Sequence, residues 1–244
     1  MSATTVPSNL EQSGYLWTGA RMLFVTIPVD GEKATGWLPP GLTLSDPATA
    51  TLFVAEYPLT AFGSIYNEAA VLLHVEHETV GAGWHCPWMM VDDDTALVLG
   101  RELLGFPKRI AEITFEETEE SVVGTVTRKG TEVMRLEAAT ADLSEASGKV
   151  WTDHIINAHG AVVGGMRLLD IPPLVEEVHE RSEGTGTATL ASSARDPLGD
   201  LAATAEGDAV FAVVDFAKFP ESGGVPVGDI PLDWALATML TRAQ

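Results

Sequence analysis

A chain of 244 residues is long enough to bury a substantial core without disulfides or structural metal, and its net charge of −21 argues against nucleic acid or an anionic membrane as partner. The single cysteine, Cys86, cannot form an internal disulfide, which suits a reducing compartment. No stretch approaches the roughly 20 apolar residues that span a bilayer, and the first ten residues lack the basic and apolar regions of a signal peptide. The expectation is a soluble, cytoplasmic, single-domain protein over residues 1–244.

Strand signals dominate along the chain. Short apolar runs rich in β-branched and aromatic residues predict strands over 22–28, 50–55 and 68–76. Asp92-Asp93-Asp94 ahead of residues 95–103 predicts a helix with carboxylates at its positive end, stopping before Gly105 and Pro107. A strand over 110–115 and a solvated acidic turn over 116–120 come next. The runs 121–127 and 131–136 predict a hairpin that turns at Gly130. Later strands are expected over 186–191 and 209–217, with a closing helix over 231–240. Many short strands and few helices point to an α+β fold of mostly antiparallel β, in a closed or sandwiched arrangement.

The acidic balance repels anionic substrates at long range, so such a substrate needs a local cation. Lysines are scarce: Lys33, Lys129 and Lys149 sit in polar surroundings, and Lys218 ends a predicted strand, where a snorkelling side chain is the plain reading. Lys108 differs, because Leu103-Leu104-Gly105-Phe106-Pro107 precedes it and Ile110-Ala111 follows. Spacing alone leaves it more often a surface residue than a nucleophile.

The segment Gly100-Arg101-Glu102-Leu103-Leu104-Gly105-Phe106-Pro107-Lys108-Arg109 resembles the active-site segment of the acetoacetate decarboxylase family: Gly-Arg-Glu, a few variable residues, then Pro-Lys-Lys. Tyr66-Asn67-Glu68 resembles the family's Tyr-x-Glu, and Trp88-Met89-Met90-Val91-Asp92 resembles the stretch leading into Gly-Arg-Glu. The likeness covers residues 15–145 well and the rest loosely. It implies a closed, cone-shaped antiparallel β-barrel with flanking strands and a few helices, with Lys108 in its interior. It further implies a cytoplasmic homo-oligomeric carboxy-lyase that acts on a small keto-acid substrate and uses no cofactor.

In the chemistry so implied, Lys108 attacks a keto carbonyl and the resulting protonated imine draws in the electrons freed as carbon dioxide leaves. The attack needs an uncharged amine, against a lysine's ordinary preference by about 4 kcal/mol at neutral pH. Burial is expected to supply most of this, with Arg109 a secondary pKa-tuning charge of about 2 kcal/mol or less at roughly 8 Å. Glu68 is the implied general acid and base, and Arg21 the implied binder of the substrate carboxylate. Two departures stand out. Arg109 replaces a family lysine. A second family acid falls at Phe53 by ungapped alignment, and only a gap would bring Glu56 into its place. Three functions therefore remain open: acetoacetate decarboxylation to acetone, an aldolase-dehydratase joining pyruvate to an aldehyde through the same lysine, and a non-catalytic small-molecule-binding barrel.

Other signals carry less. His74 and His77 fall on opposite faces of a strand, so with His85 and Cys86 they make a poor metal set. The glycines at 184–186 lack a phosphate-loop pattern, and no Gly-x-Ser-x-Gly is present.

Overall fold

The structure, a computed structural model, describes residues 15–161, 164–217 and 224–242. Lys218 and the N-terminal residues 1–14 lie outside the described residues. In chain order the elements are β1 (Tyr15–Pro28), α1 (Gly31–Thr35), β2 (Leu42–Leu44), β3 (Thr49–Tyr57), β4 (Leu59–Thr60), β5 (Tyr66–His77) and β6 (Gly81–Val91). Then come α2 (Asp94–Leu104), β7 (Lys108–Ile110), β8 (Glu112–Glu117), β9 (Ser121–Arg128), β10 (Thr131–Ala139), β11 (Leu143–Glu145), β12 (His154–Ala161) and β13 (Gly165–Ile171). The chain ends with β14 (Glu176–Leu190), β15 (Thr204–Ala217), β16 (Val225–Ile230) and α3 (Leu232–Arg242). Among the described residues no helix is long and apolar enough to cross a membrane.

The strands form one continuous 16-stranded sheet whose main path runs β16-β13-β12-β6-β5-β3-β1-β15-β14-β10-β9-β8. Pairing is antiparallel except where β12 and β7 each pair with β6 in parallel. The far edge curls back, so that Asn67 Nδ2 on β5 donates to the Ile113 carbonyl of β8. The expected hairpin joins β9 to β10 through Lys129 and Gly130, both at positive φ (50° and 81°), the geometry that matches the twist of the flanking strands.

Strands β1, β3, β5 and β6 are covered on both faces, which is why they read as apolar runs rather than as alternation. Leu23, Val25, Leu52, Val54, Val71 and Trp88 point into the larger core, together with β9, β10 and the distal part of β14. Met22, Phe24, Phe53, Ala55, Ala70 and Met89 point the other way, into a smaller layer roofed by α2, Trp151, β12 and β13. Parity at the start of β1 is reset by a bulge: Gly19 takes φ 65° and its N–H donates to Asp215 Oδ1 at 2.6 Å, leaving Trp17 and Ala20 on the same face.

Candidate active site

The smaller apolar layer holds a partly open cavity of about 280 Å³. Three elements form its amine end and its cover. Strand β5 carries Tyr66 and Glu68 on its cavity face, β7 carries Lys108, and α2 closes the cavity from above. Helix α2 starts where the sequence predicts, with Asp93 Oδ1 accepting from Ala96 N at 2.7 Å. It ends at Gly105, whose φ of 66° is left-handed and whose absent Cβ would lie 2.7 Å from the Ala158 carbonyl oxygen. Buried Asn157 on β12 ties this end down: its Nδ2 donates to Leu104 O at 3.2 Å, and its Oδ1 accepts from Cys86 N at 3.2 Å.

Lys108 passes directly beneath Gly100 of α2. A Cβ at that position would lie 2.6 Å from Lys108 Cδ and 2.9 Å from Nζ, closer than atoms pack. Glycine inside a helix costs about 1 kcal/mol against alanine, so its presence here has a packing reason. Gly100→Ala is therefore expected to destabilise the fold by about 1–3 kcal/mol, where helix propensity alone would stabilise it. Turnover should fall about 100-fold as the lysine is displaced. A chemical-denaturation midpoint and a rate measurement check both, and a midpoint that rises contradicts the contact.

The amine end is enclosed. Lys108 and Glu68 are each 6 % exposed, and Nζ donates to Glu68 Oε2 at 2.5 Å. Nζ also lies 5.6 Å from the centre of the Tyr66 ring. Tyr57 stacks on Tyr66 with centroids 4.7 Å apart and hydrogen-bonds Glu68, while Trp17 Nε1 donates to the Tyr66 hydroxyl at 3.0 Å. Burial, then the Glu68 charge, pushes both phenols well above their ordinary range, so both stay protonated. The remaining walls are apolar, with Trp151 packed edge-on against Phe216 at 6.3 Å and beside Phe53 at 5.8 Å.

Of the residues singled out in the sequence, the structure brings Lys108 and Glu68 together and takes two others away. Arg21, the implied carboxylate binder, lies elsewhere in this structure. Following the bulge, Ala20 and Met22 face the cavity layer, so Arg21 points to the opposite face of β1, where it pairs with Glu117. Glu56 lies directly across from it on β3 and shares its parity, whereas Phe53 faces the cavity layer as an aromatic packing residue. Arg109, the expected secondary charge, also lies off the cavity. Alternation on β7 turns it away from the cavity, where its Nη2 lies 2.9 Å from Asp196 Oδ1. Its charge is thus neutralised close by and is not aimed at the lysine amine.

Asp196 is the centre of a buried cluster: Arg128 Nη1 lies 2.8 Å from Oδ2, and Trp88 Nε1 donates to Oδ1 at 3.0 Å. Burial pulls the guanidinium of Arg109 down to about 10, still fully charged at neutral pH. Burial raises the Asp196 carboxyl, but hydrogen bonds from Arg128 and Trp88 and the two guanidinium charges outweigh it, holding the group below the usual carboxylate range. Asp196→Asn is expected to cost about 3–5 kcal/mol in urea unfolding, by leaving the buried Arg128 and the partly buried Arg109 without a counter-charge. Because the folded value is depressed, Asp196 contributes fully above its unfolded value of about 3.9 and loses its contribution as pH falls through the lower folded value. The gap between wild type and variant should therefore hold down to about pH 4 and close below it.

The histidines are held separately: His74 between Thr49 and Thr51 at 3.0 and 2.8 Å, His77 at the turn to Thr79, and His85 against Ile156 O at 2.8 Å. Among the described residues, no group of three or more His, Cys, Asp or Glu side chains is placed to hold a metal ion.

The family model described as acetoacetate decarboxylase (ADC) matches residues 3–216. The chain belongs to the acetoacetate decarboxylase family. Among its relatives, acetoacetate decarboxylase 1 of Mesorhizobium japonicum is 28% identical over 210 residues, covering 82% of this chain and 84% of the relative. The acetoacetate decarboxylase of Legionella pneumophila has the same fold, with a TM-score of 0.75 at 15% identity, covering 94% of this chain and 99% of that one. The enduracididine biosynthesis enzyme MppR complexed with pyruvate also shares the fold, with a TM-score of 0.68 at 19% identity over 86% of this chain and 89% of that one. Within this family fold, sequence reasoning located the lysine and its carboxylate but missed the walls. Trp17, Tyr57 and Trp151 lie far from the lysine segment in sequence, and only their long-range packing places them at the cavity. The in-helix Gly100 was the one local signal of a close approach.

Proposed function

We propose that this chain is a lysine Schiff-base lyase that decarboxylates a β-keto acid, with acetoacetate to acetone and carbon dioxide as the reference reaction. The observation that carries the reading is the buried Lys108 amine, 2.5 Å from Glu68 at the inner end of an apolar cavity. Transfer of the ammonium proton to Glu68 leaves a neutral amine and a neutral acid, the pair competent for attack in a dry site. The amine adds to the keto carbonyl, Glu68 returns its proton to the departing oxygen, water leaves, and a protonated imine forms. The carbon–carbon bond to the carboxylate then breaks, and its electron pair moves into the imine to give carbon dioxide and an enamine. Protonation on carbon and addition of water release the ketone and restore the amine.

The aldolase-dehydratase reading uses the same lysine but has to hold the carboxylate of a pyruvate imine through a second reaction. Among the described residues that line the cavity, Lys108 is the sole cation, and Arg21 lies on the other face of its strand. Apolar surroundings favour a carboxylate that departs as neutral carbon dioxide over one that must be retained. Incubation with carboxyl-labelled acetoacetate should release labelled carbon dioxide at a rate proportional to enzyme. Condensation of pyruvate with an aldehyde in the absence of any carbon dioxide release would reverse the assignment.

A further inference from the structure

The cavity is larger and less polar than acetoacetate requires. That anion has seven non-hydrogen atoms, three of them oxygen, whereas about 280 Å³ approaches the roughly 300–1,000 Å³ of sites that enclose drug-sized ligands. Its charges are used up at the reacting end. At the protonated imine Glu68 has given its proton back, so the single iminium charge already faces two carboxylates, that of Glu68 and that of the substrate, and no further cation is left among the lining residues. What remains for the rest of the substrate is wall from Leu104, Phe106, Trp151, Ile171, Leu174 and Phe216, which presents hydrocarbon and ring faces. A polar substituent would lose its water there without gaining a partner, while an apolar one gains from every buried methylene.

We propose, resting on the lyase reading above, that the substrate is a β-keto acid whose ketone carries a bulky apolar group, aromatic or branched aliphatic, in place of the methyl of acetoacetate. The aromatic walls meet one another edge-on, with Trp17 and Phe216 at 6.3 Å and Trp151 and Phe216 at 6.3 Å, an arrangement that offers ring faces and edges to an aryl guest. The absence of a second cation among the lining residues acts in the same direction: affinity must come from the apolar end, because nothing grips the carboxylate before the imine forms.

The test compares acetoacetate with 3-oxo-4-phenylbutanoate and 5-methyl-3-oxohexanoate, whose ketones are of similar electrophilicity. Carbon dioxide release gives kcat/KM, and borohydride trapping gives the adduct mass on Lys108. A well-packed methylene is worth about 10-fold or more, so the two larger acids are expected to exceed acetoacetate by at least about 100-fold in kcat/KM, chiefly through KM. If all three form the Lys108 adduct and release carbon dioxide but acetoacetate is equal or preferred, the apolar-substrate proposal is overturned and the lyase reading stands. If none forms an adduct, the lyase reading falls and this proposal with it.

Discussion

Lys108→Ala is expected to lower turnover of a β-keto acid by about 10⁴-fold or more, since among the described residues no other amine lines the cavity to form the imine that takes up the electrons. Lysine is the nucleophile and the electron sink in one group, so its loss removes the covalent route and does not merely weaken binding. The alanine variant also leaves Glu68, 6 % exposed, without its partner, and a lone buried carboxylate destabilises by about 3–5 kcal/mol. A drop in activity could then reflect unfolding alone. The double variant Lys108→Met with Glu68→Gln separates the two effects, because replacing a buried ion pair by neutral groups of similar shape is often neutral for stability. That variant should unfold near the wild-type midpoint and still be inert. Circular dichroism and a carbon dioxide assay on the same preparation make the comparison.

Glu68→Gln is expected to lower kcat by about 10²–10⁴-fold while the cavity keeps its shape. Glutamine preserves the volume beneath Tyr57 and a hydrogen bond to Nζ, but it cannot accept the ammonium proton or return it to the carbinolamine oxygen. A purely structural role would show itself differently, as lost stability with normal rates in the folded fraction. Chemical rescue gives the sharper readout. In Glu68→Gly, added formate should restore part of the rate, because a small carboxylate can occupy the vacated space. Full activity in Glu68→Gln would remove this residue from the chemistry.

Much of this arrangement was legible in the chain because its chemical part is local. Lys108, the turn at Gly105 and the glycine at 100 lie within nine positions of one another, and Glu68 sits in a short motif on β5, one strand beyond β6. The strand-rich, mostly antiparallel fold was visible for the same reason: β1, β3 and β5 are apolar on both faces. Elements without that pattern were not visible. The first half of β14, from Glu176 to about Thr185, is polar and largely exposed, so it reads as loop until pairing with β15 fixes it. Strand β6 contains Pro87, which lies in a break of register between Trp88 and His85 where a missing N–H is tolerated. The run over 110–115 is two strands, because Ala111 interrupts pairing as the chain passes from β6 to β9.

The two arginines lie off the cavity for a geometric reason. On a strand, a shift of one position exchanges faces. Arg21 lies four residues after Trp17, yet the bulge at Gly19 puts Trp17 on the cavity face with Ala20, and so sends Arg21 to the other side. Arg109 immediately follows a residue whose side chain enters the cavity, and alternation alone directs it to Asp196. The outcome for Arg21 is not legible without the register, whereas that for Arg109 follows from the opposite facing of consecutive strand residues.

The claim at the centre is that the Lys108 amine condenses with a ketone inside the cavity. Incubating the protein with a β-keto acid, reducing with borohydride and mapping the peptides by mass spectrometry tests this without reference to rate or product. The expected result is a single stoichiometric adduct on Lys108, with Lys129 and Lys149 unmodified and with loss of activity in proportion to labelling. An adduct spread over the exposed lysines, or confined to one of them with Lys108 unmodified, would contradict the account.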